Sequence, residues 1–166
     1  FMRGMARRGV GARGARALVV GAGGVGSAIA ASLAAAGLAA ITLSDSNAAA
    51  AEALAGRLRQ HYPALAVTVG AADPAGHAIV VNATPLGMRL GDRLPFDPAR
   101  LDAGAFVGEV VMTQEHTPLL RAAMARGCRV QVGTDMLFEM IPAYLEFFGL
   151  GTATPEQLRA VSLVAG

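Results

Sequence analysis

The chain has 166 residues, 54% of them apolar and 16% charged, with a formal net charge of +2. That composition excludes a disordered chain and gives enough length for one substantial core. The longest apolar runs are broken by Gly, Ser, Asp or Pro before the roughly 20 residues that span a bilayer, so a soluble, cytoplasmic protein with no membrane partner is expected.

Five arginines, Arg3, Arg7, Arg8, Arg13 and Arg16, fall in the first 16 residues. The segment lacks the apolar stretch of a targeting peptide and the interleaved aromatics of a nucleic-acid arm. A solvated helix face up to about Arg8, closed by Gly9, is the expectation, with no nucleic-acid partner. After the link "GVGARG", the run "ARALVVG" reads as a buried strand, residues 24–36 as a helix stopped by Gly37, and "AAITLSD" as the next strand. Residues 48–61 repeat Ala and Leu at helical spacing behind Asn47, an N-cap candidate. "LAVTVG" and "AIVVNAT" give two more strands, and a polar, proline-bearing loop runs from Pro85 to about Leu101. "AFVGEVV" reads as a fifth strand, residues 117–126 as a helix and "CRVQVG" as a sixth strand. "DMLFEMIPAYLEFFG" is helical and apolar on most of its circumference, with Pro142 expected to bend it. "TPEQLRAVSLV" opens with Thr154, Pro155 and Gln157 in a capping-box arrangement. This order predicts an α/β fold, a doubly wound, Rossmann-like parallel sheet of six strands with C-terminal helices.

Gly21, Gly23 and Gly26 fit G-x-G-x-x-G directly after a strand and at the opening of a helix. Gly21 permits the tight turn, Gly23 lets backbone approach a pyrophosphate, and Gly26 lets the helix pack close to the strand. The free N–H groups and the positive end of the helix dipole then face phosphates. The expected cofactor site therefore takes in Gly21, Ala22, Gly23, Gly24, Val25 and Gly26. Asp45 lies nineteen residues beyond Gly26 at the end of the second strand, beside Ser46. A carboxylate there accepts bonds from the adenosine ribose hydroxyls and repels a 2′-phosphate, which predicts NAD over NADP. The competing role for Asp45 is to cap the helix that follows, which Ser46 or Asn47 could do instead. Arg57 and Arg59 are a full helix away from that strand end and are not expected to clamp a phosphate.

The segments "VNATPLGM" (residues 81–88), "TPLLRAAMARGC" and "GTDMLFEM" resemble the C-terminal half of shikimate dehydrogenases. The resemblance runs over essentially the whole chain in consistent order. It implies reversible hydride transfer between a nicotinamide cofactor and 3-dehydroshikimate, or a related cyclic keto or hydroxy acid such as quinate. It carries Thr84, Val110, Gly133 and Met136 over as positions beside the cofactor, with Leu137 following on the helix that closes the site. For Val110, Met136 and Leu137, ordinary core packing is the competing reading.

Three departures bear on the substrate. Met112 stands where the family usually has a tyrosine, Met140 where it has a substrate-contacting glutamine, and Glu109 where Asp is usual. A thioether is a poor replacement for a phenol or an amide, so the substrate these positions would meet is expected to differ from shikimate. The family's proton-handling lysine and aspartate belong to an N-terminal substrate domain, and this chain contains no lysine. With Phe1 ahead of the first methionine, the chain reads as the cofactor domain of a longer protein, carrying no catalytic residue and inactive alone. The expected division is a connecting helix and link over residues 1–14, a dinucleotide-binding domain over 15–150 and a C-terminal helix over 151–166. A dinucleotide-binding sensor or interaction module without catalysis is the alternative. A methyltransferase using the same turn has nothing else in its favour.

His61, His77 and His116 show no metal-ligand spacing, so no metal is expected and they read as surface or loop residues. His116 could cap the helix after it or approach the ligand cleft. Cys128 reads as a structural thiol, Ser27 as a first-turn residue, and Asp92, Asp97 and Asp102 as loop punctuation.

Overall fold

The computed structural model describes residues 1–161. Six parallel strands, β1 (Arg16–Val20), β2 (Ala40–Ser44), β3 (Ala66–Val69), β4 (Ile79–Asn82), β5 (Phe106–Glu109) and β6 (Arg129–Gln131), form one sheet in the order β3-β2-β1-β4-β5-β6. Register is set by pairs such as Ala17 with Ile41 and with Ile79, and Val107 with Val130. Around the sheet lie α1 (Met2–Arg7), α2 (Gly24–Ala35), α3 (Ala48–His61), α4 (Pro118–Ala125), α5 (Gly133–Phe147) and α6 (Pro155–Val161). A short 3-10 turn covers Pro98–Arg100.

Beyond the exposed Arg16 at its start, strand β1 is apolar because both its faces are covered. Ala17 and Val19 join Ile29, Leu33, Ile41 and Leu54 in one core, while Leu18 and Val20 join Val80, Val107, Leu119 and Leu120 in a second on the opposite face. The chain winds outward from β1 to β3, crosses back to β4 and winds the other way. The ends of β1 and β4 are therefore neighbours where the order reverses, the place at which open α/β sheets bind ligands.

The caps follow the sequence. Asn47 Oδ1 accepts from Ala50 N–H at 3.3 Å, Thr117 Oγ1 from Leu120 N–H at 3.2 Å. Thr154 and Gln157 bond reciprocally, the Thr154 N–H donating to Gln157 Oε1 at 2.8 Å and the Gln157 N–H to Thr154 Oγ1 at 3.2 Å. Helix α6 is described to Val161, and the rest of its expected span lies outside the described residues.

Several boundaries differ from expectation. Strand β4 stops at Asn82 rather than Thr84 because the Asn82 side chain accepts from the next residues and turns the chain. Helix α5 starts at Gly133, which the sequence pattern left in the strand, and it continues through Pro142 to Phe147. Its start is fixed by close packing: a Cβ on Gly133 would stand 2.0 Å from the Val111 carbonyl oxygen. Arg8 and Arg159 both pair with the buried Asp135 carboxylate, and Arg7 pairs with Glu139 and Glu156, so α1, α5 and α6 are joined by charge.

Candidate functional site

The three glycines of the G-x-G-x-x-G pattern separate into two that the fold requires and one that it does not. Gly21 has φ +105°, and a Cβ there would lie 2.6 Å from the Ala83 carbonyl oxygen. A Cβ on Gly26 would lie 1.9 Å from the Gly21 carbonyl oxygen. Both must be glycine for the turn to close at all. Gly23 is different: its φ is −71°, open to any residue, and a Cβ would meet nothing within 4 Å.

Gly23 is also the N-cap of α2, which has no side-chain cap and no acidic residue in its first turn. The N–H groups of Gly23, Gly24, Val25 and Gly26 have no hydrogen-bond partner among the described residues. Four unpaired donors at the positive end of a helix make a cradle for an anion. Ser27, as expected of a first-turn residue, turns its hydroxyl back to the Ala22 carbonyl at 3.2 Å.

Asp45, just past β2, accepts from Ala22 N–H at 2.6 Å and from Asn47 N–H at 2.7 Å. The bond from Ala22, and then that from Asn47, holds the carboxyl below its ordinary pKa, so it stays ionised. Asn47, not Asp45, caps α3; Asp45 steadies the turn into that helix and ties down the glycine loop. Ser46 lies exposed beside it.

Across the reversal point, Asn82 Oδ1 accepts from Thr84 N–H at 3.1 Å and from its hydroxyl at 2.6 Å, while Thr84 Oγ1 accepts from Leu86 N–H at 3.1 Å. "NATPL" is thus a self-bonded turn that sets Thr84 opposite the glycine loop. Gly21, Gly23, Asp45, Ser46, Thr84 and Arg93 share one hollow of about 510 Å³. Sequence reasoning missed Arg93, which reaches this wall from a loop with no local motif.

Glu109, at the end of β5, is fully buried. Its Oε2 accepts from Thr117 Oγ1 at 3.0 Å, and its Oε1 has no partner among the described residues. Burial raises its pKa from 4.5 to about 7, against the lowering pull of the Thr117 hydroxyl and the nearby Asn82 side chain.

The other face of the glycine loop borders a second hollow of about 620 Å³, lined by Gly24, Val25, Met136, Met140 and Tyr144 among others. Val110 is buried and Met136 packs against the core. Met112 and Met140 are both exposed, but only Met140 lines this hollow.

The remaining candidates are structural. His77 lies in a loop, as expected, yet it is buried, with Nε2 3.0 Å from Thr42 Oγ1 and Nδ1 3.0 Å from the Ala75 carbonyl. His116 does not cap α4, because Thr117 does; it borders a separate hollow with Arg8, Asp135 and Arg159. Asp92 accepts from Gly87 and Arg89 N–H groups, Asp97 caps the 3-10 turn, and Asp102 accepts from Gly76 N–H. Cys128 is buried, and that burial raises its thiol pKa. Among the described residues no helix is long and apolar enough to cross a membrane.

A parallel sheet whose glycine turn, acidic second-strand end and fourth-strand turn meet where the strand order reverses is a Rossmann-like nucleotide-binding domain. The ThiF family model matches residues 11–69, the part that carries the glycine loop and Asp45. The shikimate dehydrogenase (NADP(+)) of Acidiphilium cryptum is 38% identical over 104 residues, covering 61% of this chain and 37% of that protein. That of Azorhizobium caulinodans is 34% identical over 124 residues, covering 72% and 43%. The solved quinate dehydrogenase of Corynebacterium glutamicum, in complex with NAD, superposes with a TM-score of 0.81 at 33% identity, covering 96% of this chain and 60% of that one. Over the matched length the chain is similar to shikimate and quinate dehydrogenases, and it spans less than half the length of the two curated enzymes.

Proposed function

We propose that this chain is the cofactor-binding domain of an oxidoreductase that transfers hydride between a nicotinamide dinucleotide and 3-dehydroshikimate or a related cyclic keto or hydroxy acid such as quinate. The observation that carries the reading is Gly23. Nothing in the fold requires glycine there, and a side chain would project into open space beside four unpaired N–H groups. Close approach by a ligand from outside accounts for it. A bound dinucleotide would supply the hydride acceptor or donor.

In this reading the N–H groups from Gly23 to Gly26 hold the pyrophosphate, and Asp45 with Ser46 holds the adenosine ribose. Thr84 lines the opposite wall, while Val110, Gly133 and Met136 lie toward the nicotinamide. Asp45, ionised and fixed by two backbone bonds, favours NAD over NADP. Met112 and Met140 stand at the positions where the family resemblance puts a tyrosine and a substrate-contacting glutamine, without the hydrogen-bonding groups a polyhydroxylated ring needs, which points to an altered substrate. The proton-handling pair is assigned to a further domain, because this chain has no lysine. The same two methionines favour, as a second reading, a dinucleotide-binding module without catalysis.

The test is titration of the chain and its Gly23→Val variant with NADH and NADPH. Tighter binding of NADH by the parent is expected, with no turnover of shikimate or quinate. The variant should keep its melting temperature and bind NADH roughly a hundredfold more weakly, about 2.7 kcal/mol. Undiminished binding by the variant would sink the assignment of the loop.

A further inference from the structure

We propose that Glu109 is a positioning residue for the dinucleotide: it backs the segment 82–87 at both ends and so fixes Thr84 on the wall that faces the glycine loop. The inference rests on the dinucleotide reading above and concerns a residue that touches no ligand itself.

Glu109, Asn82 and Thr117 are all fully buried. Asn82 and Glu109 are register partners on β4 and β5, so their side chains stand next to each other on one face of the sheet. Asn82 opens the segment. Its Oδ1 takes both the N–H and the hydroxyl of Thr84, and its Nδ2 gives one proton to the Leu86 carbonyl at 3.0 Å. The other Nδ2 proton has no hydrogen bond among the described residues, and Glu109 Oε1, on the neighbouring side chain, has none either. Thr117 closes the segment. Its hydroxyl accepts from the Leu120 N–H as the cap of α4, and its one proton goes to Glu109 Oε2, 3.0 Å away. Its methyl lies against Gly87, where a Cβ would stand 3.5 Å from Thr117 Cγ2, and Gln114 Nε2 donates to the Gly87 carbonyl at 2.8 Å. One buried side chain therefore stands behind both ends of the turn that brings Thr84 to the 510 Å³ hollow.

A carboxyl is a costly choice for this place. An apolar side chain would fill the same space and need no partner, so packing alone does not account for a glutamate with one oxygen unpaired. The polar groups that face it are neutral: Asn82 from β4 and Thr117 from the start of α4. Gln131 of β6 turns to the other face, against Gly4, and no charged side chain adds to the raised Glu109 pKa. While neutral, Glu109 leaves Asn82 to Thr84 and Leu86. Once ionised, it draws the Asn82 amide as a ready donor, and the turn slackens.

The experiment measures NADH affinity for the parent, Glu109→Gln and Glu109→Leu from about pH 6 to about pH 8, with the fold followed by circular dichroism and amide exchange by NMR. At the acid end, folded Glu109→Leu should bind NADH about tenfold more weakly than the parent. Its Thr84 and Leu86 amides should exchange faster, while those of Ala22 and Asn47, held by Asp45, keep the parent's rates. Glu109→Gln should match the parent within about twofold at about pH 6 and hold that affinity to about pH 8, where the parent's falls about fivefold. A glutamate that served stability alone would move the melting temperature and none of these. Parallel affinity profiles for the parent and Glu109→Gln would overturn the proposal whether or not Glu109→Leu folds, as would a folded Glu109→Leu that binds like the parent. Failure of the parent to bind NADH at any pH would instead overturn the dinucleotide reading, and the proposal with it.

Discussion

Replacing Gly26 with alanine is expected to destabilise the domain by about 3 kcal/mol or more and to abolish dinucleotide binding. The added Cβ would stand 1.9 Å from the Gly21 carbonyl oxygen and 3.2 Å from the Ala83 side chain. Neither neighbour is the loose end of a long side chain. Gly21 is backbone in a positive-φ turn, bonded to β2 through its N–H and the Ser44 carbonyl at 2.7 Å, and Ala83 leads into the Thr84 turn. To make room, α2 must move off β1, and the N–H cradle moves with it. Urea denaturation followed by circular dichroism measures the first effect and NADH titration the second. A variant with the parent's midpoint would show that the α2 start is looser than the packing here allows. The contrast with Gly23→Val, which should spare the fold and lose only the ligand, separates the two jobs done by one motif.

The second large effect concerns Glu109. Its pKa in the folded chain, about 7, lies above the ordinary 4.5 because burial disfavours the charged form. A raised folded value means that the stability it contributes is complete below about pH 4.5 and is lost as pH rises through 7. The folded state then carries a buried carboxylate with one oxygen unpartnered, which the unfolded chain hydrates freely. Between about pH 5 and pH 8 this single group should remove up to about 3 kcal/mol. Glu109→Gln keeps the neutral shape and the acceptor for Thr117, so its stability should be nearly level over that range where the parent's falls. The variant should be the more stable of the two at about pH 8. Parallel pH profiles for the two proteins would mean that the folded chain pays no penalty for ionising this side chain.

Both predictions come from places where sequence and packing meet, and they show what could be read early. The strands of the parallel sheet were legible because residues buried on both faces must be apolar on both, as in "ALVV", "AIVV" and "AFVG". The glycine turn and Asp45 were legible because local backbone chemistry restricts residue type at fixed spacing. Strand ends were not: Asn82 closes β4 through its own side-chain bonds, and Gly133 belongs to a helix because of what it packs against, neither of which hydropathy records. The burial of His77 depends on Thr42, thirty-five residues earlier. Arg93 stands in a polar loop between an aspartate and a leucine, and only the place of β4 beside β1 brings that loop to the hollow that Asp45 also lines. The acidic residue in "AFVGEVV" was a visible oddity in a buried strand, yet its bond to Thr117 is a tertiary fact. Met112 and Met140, paired by the family resemblance, lie apart in their settings, one on the turn after β5 and the other on α5.

The two backbone bonds accepted by Asp45 constrain how such a site can evolve. A lineage drifting toward a 2′-phosphorylated cofactor cannot simply discard this acid. Its loss would release Ala22 and Asn47 together, slackening the glycine loop and the start of α3 in the same step. Acquiring a cation across the hollow changes the charge and leaves both tethers in place. On this scaffold, selectivity shifts more readily by gain on the facing loop than by loss at the strand, and Asp45 would persist in descendants that have changed cofactor.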